Sequence, residues 1–282
     1  MSWHHRLAPI AAKLSGNAPL CPWHSIAQVM HPGTWRIRPP VQDIEVLETR
    51  GSIHLLCFAG KHEFWFPRMM TGSPELWSEY LVVFWPHRRN AHYYLRHGIQ
   101  IDSADVVLDC GACEGFFTRL ALDAGARKVI CVEPSQLMVQ CLHATFEAEI
   151  GEGRVVIVPA ALSSLSGEAG FAADDRDAFS GHFQTDSLQR VKLTTIDQLC
   201  EGGDKPTLIK MDLEGSEYEA LRGATSLCST CHPKLAITTY HFAWDHAAIS
   251  SLLCGLGYRN VPASAATLRG SPVPRPVMLY AW

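Results

Sequence analysis

The chain has 282 residues, 47% hydrophobic and 18% charged, which excludes a disordered or collagen-like polypeptide. Its formal charge of −4 argues against an extended phosphate-binding surface, so nucleic acid is not an expected partner. No apolar run approaches the roughly 18 residues that cross a bilayer, and most of the 10 cysteines sit inside apolar periods, so the expectation is a cytoplasmic protein with reduced thiols and no membrane partner.

Residues 1–104 read as an N-terminal β/helical cap, distinct from residues 105–282. IEVLETR, SIHLLCF and HEFWF, broken at Arg50-Gly51 and Ala59-Gly60, predict a small β-meander. Ser73-Pro74-Glu75 starts a helix with Trp77, Tyr80, Leu81 and Phe84 on one face. His87-Arg88-Arg89 is a short basic run expected in a solvated loop. This segment carries 10 Lys and Arg against 7 Asp and Glu, while the remainder carries 14 against 21. It also holds six of the eight Trp and nine of the fourteen His. Such a segment is expected to pack its aromatics on the sheet of the rest of the chain; the sharper alternative is that it covers the cleft there and shapes an acceptor pocket.

From Asp105 the pattern changes to alternating strands and helices. Val106 to Cys110 is a short apolar strand, followed by helical pattern from Gly115 to about Ala124. Lys128 to Val132 is the second strand. Ser135 caps a helix whose apolar positions include Leu137, Met138, Cys141, Leu142, Phe146 and Ile150. Val155 to Ala160 is the third strand, and the polar stretch up to about Arg190 predicts a hairpin or flap. Thr195 and Gln198 have capping-box spacing. Thr207 to Asp212 is a buried strand, Ser216 to Leu227 a helix, and Lys234 to Tyr240 the next strand. Ile249, Leu252, Leu253 and Leu256 form a helical face behind the cap Asp245. YRNV, a Pro-rich turn and VMLYAW close the chain as an antiparallel strand pair. Such alternation implies an α/β fold, Rossmann-like, with a mostly parallel sheet, right-handed crossovers and an antiparallel C-terminal strand. Ligands of these sheets bind at the carboxyl ends of the strands.

The strongest local signal is Asp109-Cys110-Gly111-Ala112-Cys113-Glu114-Gly115-Phe116-Phe117-Thr118. It leaves a strand and opens a helix, where glycines allow a tight turn and the helix N-terminus offers N–H groups. Glu133 ends the next strand, where a carboxylate can accept hydrogen bonds from both hydroxyls of a ribose. A dinucleotide loop wants G-x-G-x-x-G to clear room for a pyrophosphate. The middle glycine is missing here, and Asp109 suits an ammonium group, as in S-adenosylmethionine.

These residues resemble the FkbM-type family of class I methyltransferases. The likeness rests on DCGACEGFFT (109–118), Glu133-Pro134, LTTIDQL (193–199), IKMDLEGSE (209–217) with Leu221-Arg222-Gly223-Ala224, and TTYHFAWD (238–245), in that order. The family usually has Asn where Cys113 stands. The resemblance implies methyl transfer from S-adenosylmethionine to a small-molecule acceptor. The usual acceptor is a hydroxyl of a sugar, polyketide or other specialised metabolite. Asp109, Gly111, Ala112, Gly115, Thr118, Glu133 and Ser135 are the expected cofactor-binding residues.

A hydroxyl acceptor needs a base, and His is the best placed by intrinsic pKa. His241 follows the fifth strand and is expected to take the acceptor proton, with Asp212 or Glu214 orienting it or the substrate. A magnesium ion on Asp212, Glu214 and His241 is the less favoured arrangement, so no metal site is assigned. Cys110 with Cys113 and Cys228-Ser229-Thr230-Cys231-His232 have metal-like spacing but read as ordinary thiols. Two other functions compete: a nicotinamide-dependent oxidoreductase and a non-catalytic binding module.

Overall fold

The computed structural model describes residues 13–14, 40–73, 75–87, 90–174, 177–183, 190–259, 261–267 and 274–282. Pro74, Arg88, Arg89 and the Trp and His residues before position 40 lie outside the described residues. A seven-stranded sheet organises the chain, in the order β13-β14-β12-β11-β4-β5-β6. Its strands are β4 (Val106–Cys110), β5 (Lys128–Val132), β6 (Val155–Val158), β11 (Leu208–Met211), β12 (Lys234–Thr238), β13 (Ala263–Thr267) and β14 (Pro274–Ala281). β4, β5, β6, β11 and β12 pair in parallel, and β14 runs antiparallel to both neighbours. Every residue of β4 and β11 is buried, the continuous apolar pattern of a strand covered on both faces. Strand order reverses between β4 and β11, and this switch point opens a crevice at their carboxyl ends.

The crossover helices are α2 (Phe116–Asp123), α3 (Gln136–Thr145) and the short α4 (Glu147–Gly151) on one side of the switch. α6 (Glu217–Arg222), α7 (Thr225–Cys231) and α8 (Asp245–Gly255) lie on the other. The single helix expected from Ser216 to Leu227 is two. At Gly223 any Cβ would collide with the Ser163 carbonyl oxygen. Beyond it, the Asp197 carboxylate accepts from the N–H groups of Ser226 (2.9 Å) and Leu227 (2.8 Å), starting a new helix. The closing strand pair is also displaced: β13 is Ala263–Thr267, not YRNV. Tyr258 is held out of it, buried with its hydroxyl donating to the Pro233 carbonyl at 2.9 Å.

The polar stretch after β6 forms a second sheet, β7-β10-β8-β9. β8 (Gly167–Asp174) and β9 (Asp177–Phe183) make the expected hairpin, while β7 (Ala161–Leu162) and β10 (Arg190–Thr194) anchor it. Thr195 accepts from the Gln198 N–H at 3.0 Å and caps α5 (Ile196–Leu199).

Before the main sheet, β1 (Ile44–Arg50), β2 (Ile53–Phe58) and β3 (His62–Pro67) form an antiparallel meander, followed by α1 (Glu75–Phe84). α1 buries Leu76, Trp77, Tyr80 and Val83, with Leu81 and Phe84 half-buried at the edge of that face. β3 packs on α3 and α1 on α2. The centre of this contact is Phe116, whose ring meets Phe64, Phe58 and Tyr80 edge-on at centroid distances of 4.7, 5.2 and 5.6 Å. Edge-to-face rings at these distances contribute beyond their area burial. One hydrophobic core therefore runs from the meander through α2 to the sheet.

Candidate functional site

The crevice at the switch point is walled by the glycine loop, by Glu133 and by the loops after β11 and β12. Gly111 has φ +74°, and any Cβ on it would collide with the Asp212 carbonyl oxygen. Glycine is thus required where the loop crosses the end of β11. Gly115 (φ +79°) is required by its packing on Phe146 and Leu142 of the neighbouring helices. Cys113 stands at φ +40°, a left-handed conformation that Asn adopts more easily than most residues. That position contributes its backbone: the Cys113 N–H donates to Glu133 Oε2 at 3.0 Å.

Four of the loop's N–H groups, those of Gly111, Ala112, Cys113 and Gly115, are donated within the fold. Gly111 and Ala112 both donate to the Val132 carbonyl (3.0 and 3.1 Å), and Gly115 donates to Ala112. Glu133 is buried and also accepts from the Ser135 N–H at 2.8 Å. Each of its oxygens thus has one backbone donor and further lone-pair capacity towards the cleft. Burial pushes its carboxyl up to about 7, against the pull of those two N–H groups. Ser135 lies behind Glu133 and caps α3 through its hydroxyl.

Parallel register places Lys210 on β11 opposite Asp109 on β4. Both are buried, with the Lys210 ammonium 3.0 Å from Asp109 Oδ1 and donating to the Gly111 carbonyl at 2.6 Å. Thr118 donates to the other Asp109 oxygen at 2.8 Å. The ammonium that Asp109 meets is therefore the chain's own, and Asp109 and Thr118 brace the glycine loop from beneath. Burial alone would lower the Lys210 pKa, but Asp109 and Asp212 outweigh it and hold the amine protonated. Nothing in the sequence pattern marked Lys210; only the strand register shows it.

Asp212, Glu214 and Tyr240 stand on the opposite wall. Asp212 accepts from Tyr94 Oη at 2.7 Å and Thr238 Oγ1 at 3.2 Å. His92 Nε2 lies 3.6 Å from its second oxygen. Burial would raise the Asp212 carboxyl, but the His92 and His241 imidazoles and the Lys210 ammonium hold it below the usual carboxylate range. Tyr94 and His92 come from the segment after α1, where no motif was visible. Asn90 positions that segment by donating to the carbonyls of Leu81, Val82 and Trp85 at 3.1, 2.8 and 3.1 Å.

His241 packs behind Asp212 against three carboxylates. Its Nδ1 lies 3.1 Å from Glu217, and its Nε2 lies 3.4 Å from Glu214 and 3.9 Å from Asp212. Burial would lower its pKa, but those carboxylates raise it to about 10. At neutral pH His241 is an imidazolium, which cannot accept a second proton. His92 is the reverse case: burial holds its pKa below the ordinary value. Asp212, Glu217 and His241 each place one ligand atom within 4.8 Å of the others.

Burial, with Glu79 opposite, raises Glu114 on the same wall to about 8. No helix among the described residues is long and apolar enough to cross a membrane.

The family model described as the methyltransferase FkbM domain matches residues 109–260. The hexuronic acid methyltransferase AglP of Haloferax volcanii is 27% identical over 157 residues, 55% of this chain and 63% of that protein. The chain thus spans less than two thirds of that curated relative. The crystal structure of methyltransferase FkbM from Methylobacillus flagellatus superposes with a TM-score of 0.51 at 21% identity. The superposition covers 75% of this chain and 51% of that one, a likeness of fold.

Proposed function

The chain belongs to the methyltransferase FkbM domain family, and on that premise we propose that it methylates a hydroxyl of a small molecule using S-adenosylmethionine. The observation that carries the reading is Glu133. It is a buried carboxylate held by two backbone N–H groups with lone pairs left for a ribose diol. The cleft fits the rest of such a cofactor. Pro134, Leu162 and Phe171 offer apolar surface beside Glu133 for a base. The acidic wall of Glu79, Glu114, Asp212 and Glu214 complements a sulfonium and an ammonium. When bound, the cofactor supplies an electrophilic methyl group.

The chain's own residues supply position and charge. Tyr94 and Thr238 fix the ionised Asp212 so that its carboxylate can accept the hydrogen bond of an incoming hydroxyl and, as the bond to carbon forms, its proton. Asp212 thereby takes the base role expected of His241. The His241 imidazolium helps to hold the Asp212 carboxyl low, and Glu214 orients the acceptor. No metal step is needed in this arrangement. Residues 40–104 act as more than a cover: Glu79, Val82, Val83 and Tyr94 form one side of the cleft.

The relative from Haloferax volcanii is named for a hexuronic acid. A carboxylate acceptor would face Asp212 and Glu214 here, so we assign an acceptor without negative charge. A nicotinamide dinucleotide fits poorly, because the loop lacks the middle glycine that clears room for a pyrophosphate and the N–H groups of Gly111, Ala112 and Cys113 are already donated. Calorimetry with S-adenosylmethionine and with NAD tests the assignment. Binding of the former alone is expected; binding of NAD alone, or of neither, overturns it.

A further inference from the structure

Two aromatic side chains at the rim of the crevice are left facing water. Phe242 is 46% exposed and Trp244 50% exposed, and their rings are parallel within 2° at a centroid separation of 5.5 Å. Tyr218 meets Trp244 edge-on at 5.8 Å and 87°. The pair is held firmly. The Phe242 N–H donates to the buried Asp245 carboxylate at 2.6 Å, and Arg275 donates to the Tyr240 carbonyl at 2.7 Å. The Phe242 ring lies on Gly215, where any Cβ would come within 2.6 Å of it. Gly215 sits between Glu214 and Ser216, both on the cleft wall. The platform is therefore continuous with the site.

Rigid aromatic faces left in water beside a cleft are a binding feature rather than packing. Their chemistry selects the occupant. The side of the pair left exposed presents an apolar, electron-rich surface that matches the C–H face of a pyranose ring. The hydroxyl edge of the same ring would then point at Asp212 and Glu214. Each cation described around the site already has a partner: Lys210 has Asp109 and the Gly111 carbonyl, His241 has Glu214 and Glu217, and Arg275 has the Tyr240 carbonyl.

We infer that Phe242 and Trp244 form an acceptor subsite that stacks on the C–H face of a pyranose carrying no negative charge. This rests on the methyltransferase reading and names its acceptor class. Saturation-transfer NMR with methyl α-glucopyranoside, in the presence of S-adenosylhomocysteine, tests it. Transfer should concentrate on the C–H protons of one ring face. Affinity should fall roughly ten-fold in Phe242→Ala and in Trp244→Ala. Trp282→Ala, which removes another exposed indole (40% exposed), is the control and should change nothing. The methyl glucuronide should bind at least about ten-fold more weakly than the glucopyranoside. Unchanged affinity in both platform variants, equal binding of the glucuronide, or preference for a planar phenol over the pyranoside overturns the subsite. Calorimetry with S-adenosylhomocysteine separates the two readings. Its failure to bind the unaltered protein would sink the cofactor assignment. Weakened sugar binding in a platform variant that still takes up S-adenosylhomocysteine normally supports the subsite.

Discussion

The Lys210 ammonium lies 3.0 Å from the Asp109 carboxylate, and both groups are buried. A buried pair of this kind is costly to break from one side, because the remaining charge loses its partner without regaining water. Lys210→Met should therefore cost about 3–5 kcal/mol of stability in denaturant unfolding. Adding Asp109→Asn should recover most of the loss. A single variant that loses less than about 1 kcal/mol would show that the pair is not what braces the loop.

Cofactor affinity should depend on Glu133. Truncation to Ala removes the ribose acceptor and leaves the Cys113 and Ser135 N–H groups unpaired. Affinity for S-adenosylmethionine should fall by about 1.5–3 kcal/mol, the range for a hydrogen bond to a charged group. An unchanged dissociation constant in titration calorimetry refutes the ribose assignment.

The pH dependence follows from the same wall. Burial holds Glu133 up to about 7 and Glu114 up to about 8, both above their ordinary value of 4.5. A cationic ligand favours the ionised forms, so affinity should rise from about pH 6 to about pH 9, with protons released on binding. The sign reverses for the unliganded protein. The folded state keeps protons that the unfolded chain has lost, so these two groups make stability fall as pH climbs from 4.5 through 8. Affinity that is flat with pH, and enthalpy independent of buffer ionisation, would contradict both statements.

Asp212 and His241 can be separated by the pH–rate profile. Asp212→Asn should reduce turnover about 10²–10⁴-fold while cofactor affinity stays near normal. In the unaltered protein the acidic limb belongs to a carboxyl held low, so turnover is near its plateau at neutral pH. His241→Gln removes the imidazolium that favours ionised neighbours, and should move that limb to higher pH rather than abolish turnover. An acidic limb near pH 10 in the unaltered protein, lost in His241→Gln, would return the base role to His241.

The His241 charge also bears on stability. Its folded pKa of about 10 exceeds the ordinary 6.5. Its contribution is thus complete below pH 6.5 and is lost as pH rises towards 10. Thermal unfolding of His241→Gln should show a weaker decline over that window than the unaltered chain. Parallel curves would mean that the three carboxylates hold no proton there.

Much of the catalytic sheet could be read from the sequence, because hydrophobic period and turn chemistry are local. VVLDC, KVICV and the Ser135 cap appear within a residue or so of where the pattern places them. The break at Gly223 could not be read, since its cause is a Ser163 carbonyl 60 residues earlier. The site divides in the same way. Gly111, Ala112, Glu133, Asp212 and Glu214 lie on the cleft wall, and their motifs pointed there. Lys210, Tyr94 and His92 did not announce themselves, because only strand register and the Asn90 bonds place them. The surroundings of His241 were not legible for a related reason: an isolated imidazole is a base of ordinary strength, and three carboxylates within 4 Å raise its pKa.

Tyr94 and Asp212 are separated by 118 residues of chain, and Tyr280, whose hydroxyl holds the neighbouring Tyr93 carbonyl, lies 187 residues beyond that partner. Contacts of such high sequence separation form late, after the loop-closure entropy of the intervening chain has been overcome. The glycine loop shares this dependence, since Lys210 braces it from 99 residues away. The cleft is therefore complete only once β14 lies between β12 and β13 and holds the Tyr93–Tyr94 segment in place.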